Sequence, residues 1–199
     1  MKDIQLYDYQ REMSERIEAA FRSCQSVMVQ MPTGTGKTVL LAEQVKREER
    51  RVKNPCVWIV VHRRELVEQI RETLETMMNS FSTSGTTPSL LLDDSRIKVM
   101  SIQWLSRHYQ EMEEIPSLIV IDEAHHAVAK TYKEVMDAFP EAKKLGLTAT
   151  PCRLTRRGFT DLFDVLLQSW SAKKFIADGW LSLYDYMSIR EDSEDWRLV

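Results

Sequence analysis

Cysteine, glycine and proline are all scarce in this chain, and it has no long apolar run. Its three cysteines, Cys24, Cys56 and Cys152, stand far apart in 199 residues with no C-x-x-C pair. That spacing argues against a disulfide framework and a cysteine zinc site, and leaves three reduced thiols in or near a core. Six glycines and six prolines exclude a collagen-like or low-complexity chain. No stretch approaches the roughly 20 apolar residues that a membrane span needs. Met1-Lys2-Asp3-Ile4-Gln5 carries no apolar signal core, so a cytoplasmic address is expected. A basic excess is also missing, because the formal net charge is −3. Any contact with a polyanion must then be local, through a groove, a few arginines or helix N-termini.

What is present is ordinary globular material, 43% hydrophobic and 29% charged, enough for one substantial domain. Ile17, Ala20, Phe21 and Cys24 fall at helical spacing and predict a helix over residues 7–24. A short apolar strand at 26–31 leads through a Pro/Gly turn into a helix at 37–51. A β-branched strand follows at 56–61. The next helix spans 62–78, with Leu66, Ile70, Leu74 and Met77 along one side. Residues 79–89 are rich in Ser, Thr and Gly and read as a loop. Further strands are expected at 97–100, 117–121 and 144–147, with helices at 102–112 and 132–139. Alternating helices and near-continuous apolar strands imply an α/β fold, a mostly parallel sheet with helices on both faces. Residues 1–189 are expected to form one domain, and the charged 190–199 to begin a linker.

Two stretches carry chemistry. Met31-Pro32-Thr33-Gly34-Thr35-Gly36-Lys37-Thr38 follows a strand and opens a helix, the context a triphosphate needs. Glycines let the backbone wrap closely, so that successive N–H groups point at phosphate, and the helix N-terminus adds a favourable dipole. Lys37 is placed to bridge the β- and γ-phosphates of ATP, and the Thr38 hydroxyl to ligate Mg²⁺. The strict phosphate-loop pattern begins with Gly, where this chain has Met31. The second stretch, Leu118-Ile119-Val120-Ile121-Asp122-Glu123-Ala124-His125, is an apolar strand delivering two acids at its carboxyl end, where ligands of open α/β sheets sit. Asp122 would hold the Mg²⁺ and Glu123 would orient and deprotonate the attacking water. No other His, Cys or acid has ligand spacing around His125, so it is assigned to coupling rather than to a metal.

With these residues in order, the chain resembles superfamily 2 helicases of the DEAH type, and in particular their RadD-like and type I and III restriction-motor branch. Leu6-Tyr7-Asp8-Tyr9-Gln10 is similar to the family's glutamine motif and implies that Gln10 reads the adenine edge. Val60-Val61-His62-Arg63-Arg64-Glu65-Leu66 resembles motif Ia, and Val99-Met100-Ser101-Ile102-Gln103-Trp104-Leu105 the next strand-contacting motif. Asp122-Glu123-Ala124-His125 matches motif II. Thr148-Ala149-Thr150 matches motif III, which implies a coupling role for Thr148 and Thr150. The resemblance implies a RecA-like fold, ATP and Mg²⁺ as ligands, and a nucleic-acid strand as partner; the restriction and RadD-like branch favours DNA over RNA, which the residues themselves do not distinguish, and the domain is expected to be a monomer. It also implies a second RecA-like domain with arginine fingers. Arg156-Arg157-Gly158, the nearest stretch here, lies in the wrong context for those fingers. Alternatives are a clamp with an ATP fold or another P-loop subunit, such as a restriction motor that translocates without unwinding. A kinase is a further rival, but it has no need of Thr148-Ala149-Thr150.

Other residues have two readings. Arg63 and Arg64 are phosphate contacts or a solvated face, and the resemblance favours Arg64. Ser101 and Gln103 contact phosphate or cap the next helix. Trp104 reads as core rather than as a base-stacking residue. Tyr7 and Tyr9 flank an adenine or pack the opening helix. Arg153, Arg156 and Arg157 form a basic cluster read as a solvated loop. Trp170 and Trp180 read as packing residues at the domain edge.

Overall fold

A computed structural model describes residues 5–79, 96–126, 130–150 and 162–183. The Ser/Thr/Gly-rich stretch at 80–89, the Arg153–Arg157 cluster and the expected linker at 190–199 lie outside these residues. Six strands form one all-parallel sheet in the order β3-β2-β4-β5-β1-β6: β1 Ser26–Gln30, β2 Val57–Val61, β3 Ile97–Ser101, β4 Leu118–Ile121, β5 Lys143–Thr148 and β6 Val165–Gln168. Among the described residues, six α-helices accompany them: α1 Asp8–Ala20, α2 Lys37–Arg51, α3 Glu65–Asn79, α4 Ile102–His108, α5 Lys130–Ala138 and α6 Ala172–Ala177. Among the described residues, no helix is long and apolar enough to cross a membrane.

The strands read as continuous apolar runs because both faces are covered. Alternate residues of β2 go to opposite layers. Val57, Ile59 and Val61 pack with α1, α2 and α3, while Trp58 and Val60 pack with Leu105 of α4 and with Tyr132, Val135 and Met136 of α5. β4 divides in the same way, with Leu118 and Val120 in one layer and Ile119 and Ile121 in the other. Burial of this kind contributes roughly 1.5–3 kcal/mol per large aliphatic side chain.

The boundaries differ from expectation at several ends, each for a local reason. Tyr7 is extended (φ −66°, ψ 157°) and stands at the N-cap of α1. The helix stops at Ala20, and turns carry the chain on through Cys24. β2 runs to Val61, so α3 starts at Glu65 instead of 62. The Arg63 and Arg64 carbonyls accept the first hydrogen bonds of α3 from Leu66 and Val67. The helix expected at 102–112 ends at His108 and tightens to a 3₁₀ turn over Tyr109–Glu111. Sequence reading offered no element for β6 or α6. β6 pairs with β1, and Asp164 anchors its start by accepting from the Ser26 hydroxyl (2.7 Å) and the Ser26 N–H (3.0 Å). At its far end, the Gln168 carbonyl accepts from Arg16 of α1 (2.9 Å).

Candidate nucleotide site and adjoining cleft

The phosphate loop joins β1 to α2. Gly34 and Gly36 both have left-handed backbones, at φ 83° and 79°, and Gly36 is the N-cap of α2. Such angles suit glycine and turn successive N–H groups into one concavity. Met31, at the position where the strict motif has Gly, is fully buried in the core layer beneath the loop. Its N–H donates to the Thr148 carbonyl (2.9 Å), which ties the loop to the end of β5. Within the loop, the Thr35 hydroxyl donates to the Pro32 carbonyl (2.7 Å). Pro32, Lys37 and Thr38 are half-buried, Thr33 and Gly34 exposed and Thr35 buried.

Gln10 lies under this loop and is 2% exposed. Its Oε1 accepts the Tyr7 N–H (3.1 Å) and its Nε2 donates to the Thr35 carbonyl (3.1 Å). The Tyr9 hydroxyl donates to the same carbonyl (3.2 Å). One amide hydrogen and one acceptor lone pair of Gln10 remain for any other contact. Tyr9 is buried against Phe175 and Trp180, whereas Tyr7 is exposed and packs on Trp180, ring centroids 4.8 Å apart. Leu181, beyond α6, reaches over Gly34, so the C-terminal described segment closes one side of the loop.

The acid pair stands at the carboxyl end of β4. The Asp122 N–H extends the strand ladder by donating to the Val60 carbonyl (3.0 Å). Burial pushes the Asp122 carboxyl above the usual carboxylate range, and the Glu123 charge adds to the shift. The Glu123 backbone, Lys37 and His125 oppose it. Two neighbouring carboxylates offer the oxygen donors that a divalent cation beside phosphate takes. Glu123 has a φ of 50°, alone among the described non-glycine residues in being positive, a strained backbone of the kind held at functional sites. His125 Nδ1 lies 3.1 Å from Glu123 Oε2 and 3.0 Å from Thr148 Oγ1. The Thr148 hydroxyl donates to the Thr150 carbonyl (3.2 Å), so its oxygen is the acceptor toward His125. One imidazole N–H thus serves both Glu123 and the end of β5. Tyr132 of α5, which no motif marks, is buried nearby. Among the described residues its hydroxyl has no partner, and burial together with the Asp122 charge pushes its pKa up to about 12.

The strand-facing candidates sit apart, at the β3 edge. Arg63, Arg64, Ser101 and Gln103 line one open cleft of about 1210 Å³ between α3 and α4. Ser101 is buried, and its hydroxyl caps α4 by accepting the Trp104 N–H (3.3 Å). The Gln103 amide donates to the His62 carbonyl (2.7 Å), which joins α4 to the end of β2. The expectation that Trp104 belongs to the core is overturned, since it is 45% exposed and lines the cleft. Ile102 and Leu105 take the inward face of α4 and turn Trp104 outward.

Sheet order, phosphate loop and acid pair together define a RecA-like ATP-binding domain of the superfamily 2 helicase kind. The chain belongs to the family described as type III restriction enzyme, res subunit, whose sequence model matches residues 3–153. It is 30% identical over 162 residues to a "51.5 kDa protein" of a Lactococcus phage (isolate 7-9), covering 81% of this chain and 32% of that protein. It is 28% identical to the "Putative ATP-dependent helicase IRC3" of Saccharomyces cerevisiae, covering 95% of this chain and 30% of that one. The chain therefore spans about a third of the length of these curated relatives. The fold matches the helicase domain of Pyrococcus furiosus Hef with a TM-score of 0.64 at 20% identity, over 83% of this chain and 38% of that one.

Proposed function

We propose that this chain is the ATP-binding half of a motor that hydrolyses ATP to move along nucleic acid, DNA in particular. The observation that carries the reading is the acid pair at the carboxyl end of β4, with Asp122 in the electrostatic field of both Glu123 and the loop's Lys37, and His125 joining Glu123 to Thr148.

In this reading, the N–H groups of Thr33, Gly34, Gly36 and Lys37 surround the phosphates, while Pro32 shapes the turn and Thr35 braces it by donating its N–H to the Pro32 carbonyl. Gln10 meets the adenine edge through its remaining amide hydrogen. Lys37 neutralises the β- and γ-phosphates. Thr38 and Asp122 are the residues that would hold Mg²⁺, which would supply charge neutralisation to the triphosphate. Glu123 accepts a proton as water attacks the γ-phosphorus. The bond to the bridging oxygen breaks, leaving ADP and inorganic phosphate. His125, Thr148 and Thr150 pass the state of the acid pair to the strand-binding side. Arg63, Arg64, Ser101 and Gln103 meet phosphate and sugar, so this contact is independent of sequence and sensitive to salt. A second RecA-like domain would supply arginine fingers, worth roughly 10³–10⁵ in rate in other NTPases. Alone, the 199-residue chain should bind ATP and turn it over slowly.

The test is Glu123→Gln in a protein extended through the second domain. ATP binding should persist while strand-stimulated hydrolysis drops roughly 10²–10⁴-fold. Unchanged hydrolysis in that variant would remove the motor reading and leave a clamp.

A further inference from the structure

We infer that Trp104, stacked on His108, takes an unpaired base of the bound strand, so that the cleft at the β3 edge distinguishes single-stranded from paired nucleic acid. The inference rests on the strand-binding reading above and adds a base contact to its phosphate contacts.

Three observations carry it. First, Trp104 is 45% exposed although an indole of that size normally gains by burial. Second, the ring is held in one orientation. Its plane lies 14° from that of His108, with centroids 4.4 Å apart, and His108 Nδ1 is 2.8 Å from the Trp104 carbonyl oxygen. A plate fixed in this way has already lost much of the rotamer freedom that binding would otherwise cost. Third, the cleft beside it is lined by Arg63, Arg64, Arg71 and Arg107, which outnumber the two acids there, Glu65 and Glu68. Among the described residues, none of these four makes an ion pair. Arg71 also has a buried Nε with no hydrogen-bond partner. Buried guanidinium nitrogens are normally satisfied, so this one is a donor awaiting an acceptor.

Surplus donors around a fixed aromatic plate fit a single strand. Its phosphates suit the guanidiniums, and its splayed base suits the indole face. A duplex offers the same phosphates but keeps its bases stacked inside. An acidic peptide would meet the charges and leave the plate unused.

The experiment measures binding of the 199-residue chain to two labelled probes by fluorescence anisotropy. One is an oligothymidine of about 20 nucleotides, and the other is an abasic strand of the same phosphate count, so that only base stacking separates them. The wild type should prefer oligothymidine by about tenfold, within the range one stacked base supplies. Trp104→Ala should abolish the preference without changing abasic binding, and Trp104→Phe should keep part of it. Arg64→Ala should weaken both probes alike. Equal wild-type affinity for the two probes overturns the base contact and leaves the phosphate contact standing. Failure to bind either probe overturns both. Displacement by polyglutamate more readily than by either oligonucleotide also overturns the proposal, in favour of a peptide partner.

Discussion

Gln10 and half-buried Arg71 both hold polar atoms away from water, yet those atoms fare differently. Each end of the Gln10 amide has a partner inside the protein, whereas Arg71 keeps a buried Nε with none. The contrast extends to their surroundings. At the centre of the sheet, Thr35, His125, Thr148 and Asp122 are bonded to one another's elements, and backbone strain at Glu123 is held in place. At the β3 edge, four arginines and an exposed indole face an open cleft. A small ligand undergoing chemistry needs groups fixed in advance. A polymer gripped and released in turn needs donors that its phosphates can satisfy and then vacate.

The comparison breaks most readily at Gly36. Its left-handed backbone costs another residue about 1–2 kcal/mol, and a methyl there would land on the Gln10 amide nitrogen. Gly36→Ala should weaken ATP binding by about 100-fold, near 2.7 kcal/mol, as read by isothermal titration. Oligothymidine affinity should be untouched. In a Gln10→Ala background, which has already lost the adenine contact, adding Gly36→Ala should cost less than it costs the wild type, because only the backbone strain remains. An equal cost in both backgrounds would mean that Gln10 is not the residue that shapes the loop.

Salt sharpens the same contrast at the other site. Four guanidiniums on a single strand predict a slope of about −3 in log K against log salt, so affinity should fall roughly 50-fold between 50 and 200 mM. ATP affinity should change far less over that range. Arg71→Ala should reduce the magnitude of the slope by about 0.7. A strand affinity indifferent to salt would mean that the cleft does not meet phosphate.

The two sites were not equally legible in the sequence. The phosphate loop, β4 and α2 stand out because local rules agree there: an apolar strand, glycines at the turn and a helix starting at Lys37. β6 was hidden because it is four residues long, with Leu166 42% exposed, and its partner β1 lies some 138 residues away. No local pattern encodes such a pairing. Trp104 misled for another reason, since its size suggests core while its phase on α4, opposite Ile102 and Leu105, puts it outside. The helical period was the better guide. The engagement of Gln10 with the Thr35 carbonyl, over 25 residues, also needed coordinates.

The smallest effect is expected at Asp164, and it asks whether the centre of the sheet depends on its β6 edge. The Ser26 hydroxyl chiefly, with the Ser26 and Gln25 N–H groups, holds the Asp164 carboxyl below its ordinary range despite some burial. A depressed carboxylate stabilises the fold above its unfolded pKa, and that contribution disappears as pH falls through the folded value. Asp164→Ala should therefore cost about 1 kcal/mol in urea unfolding at pH 7, the scale of a partly solvated hydrogen-bond cluster. The difference from wild type should shrink as pH drops below the ordinary aspartate range. ATP affinity should hold at neutral pH, because β1 keeps β5 as its other neighbour and the loop keeps its Met31 bond to Thr148. A loss of ATP affinity approaching that of Gly36→Ala would show that the loop takes its shape from the edge strand rather than from the bonds around Gln10.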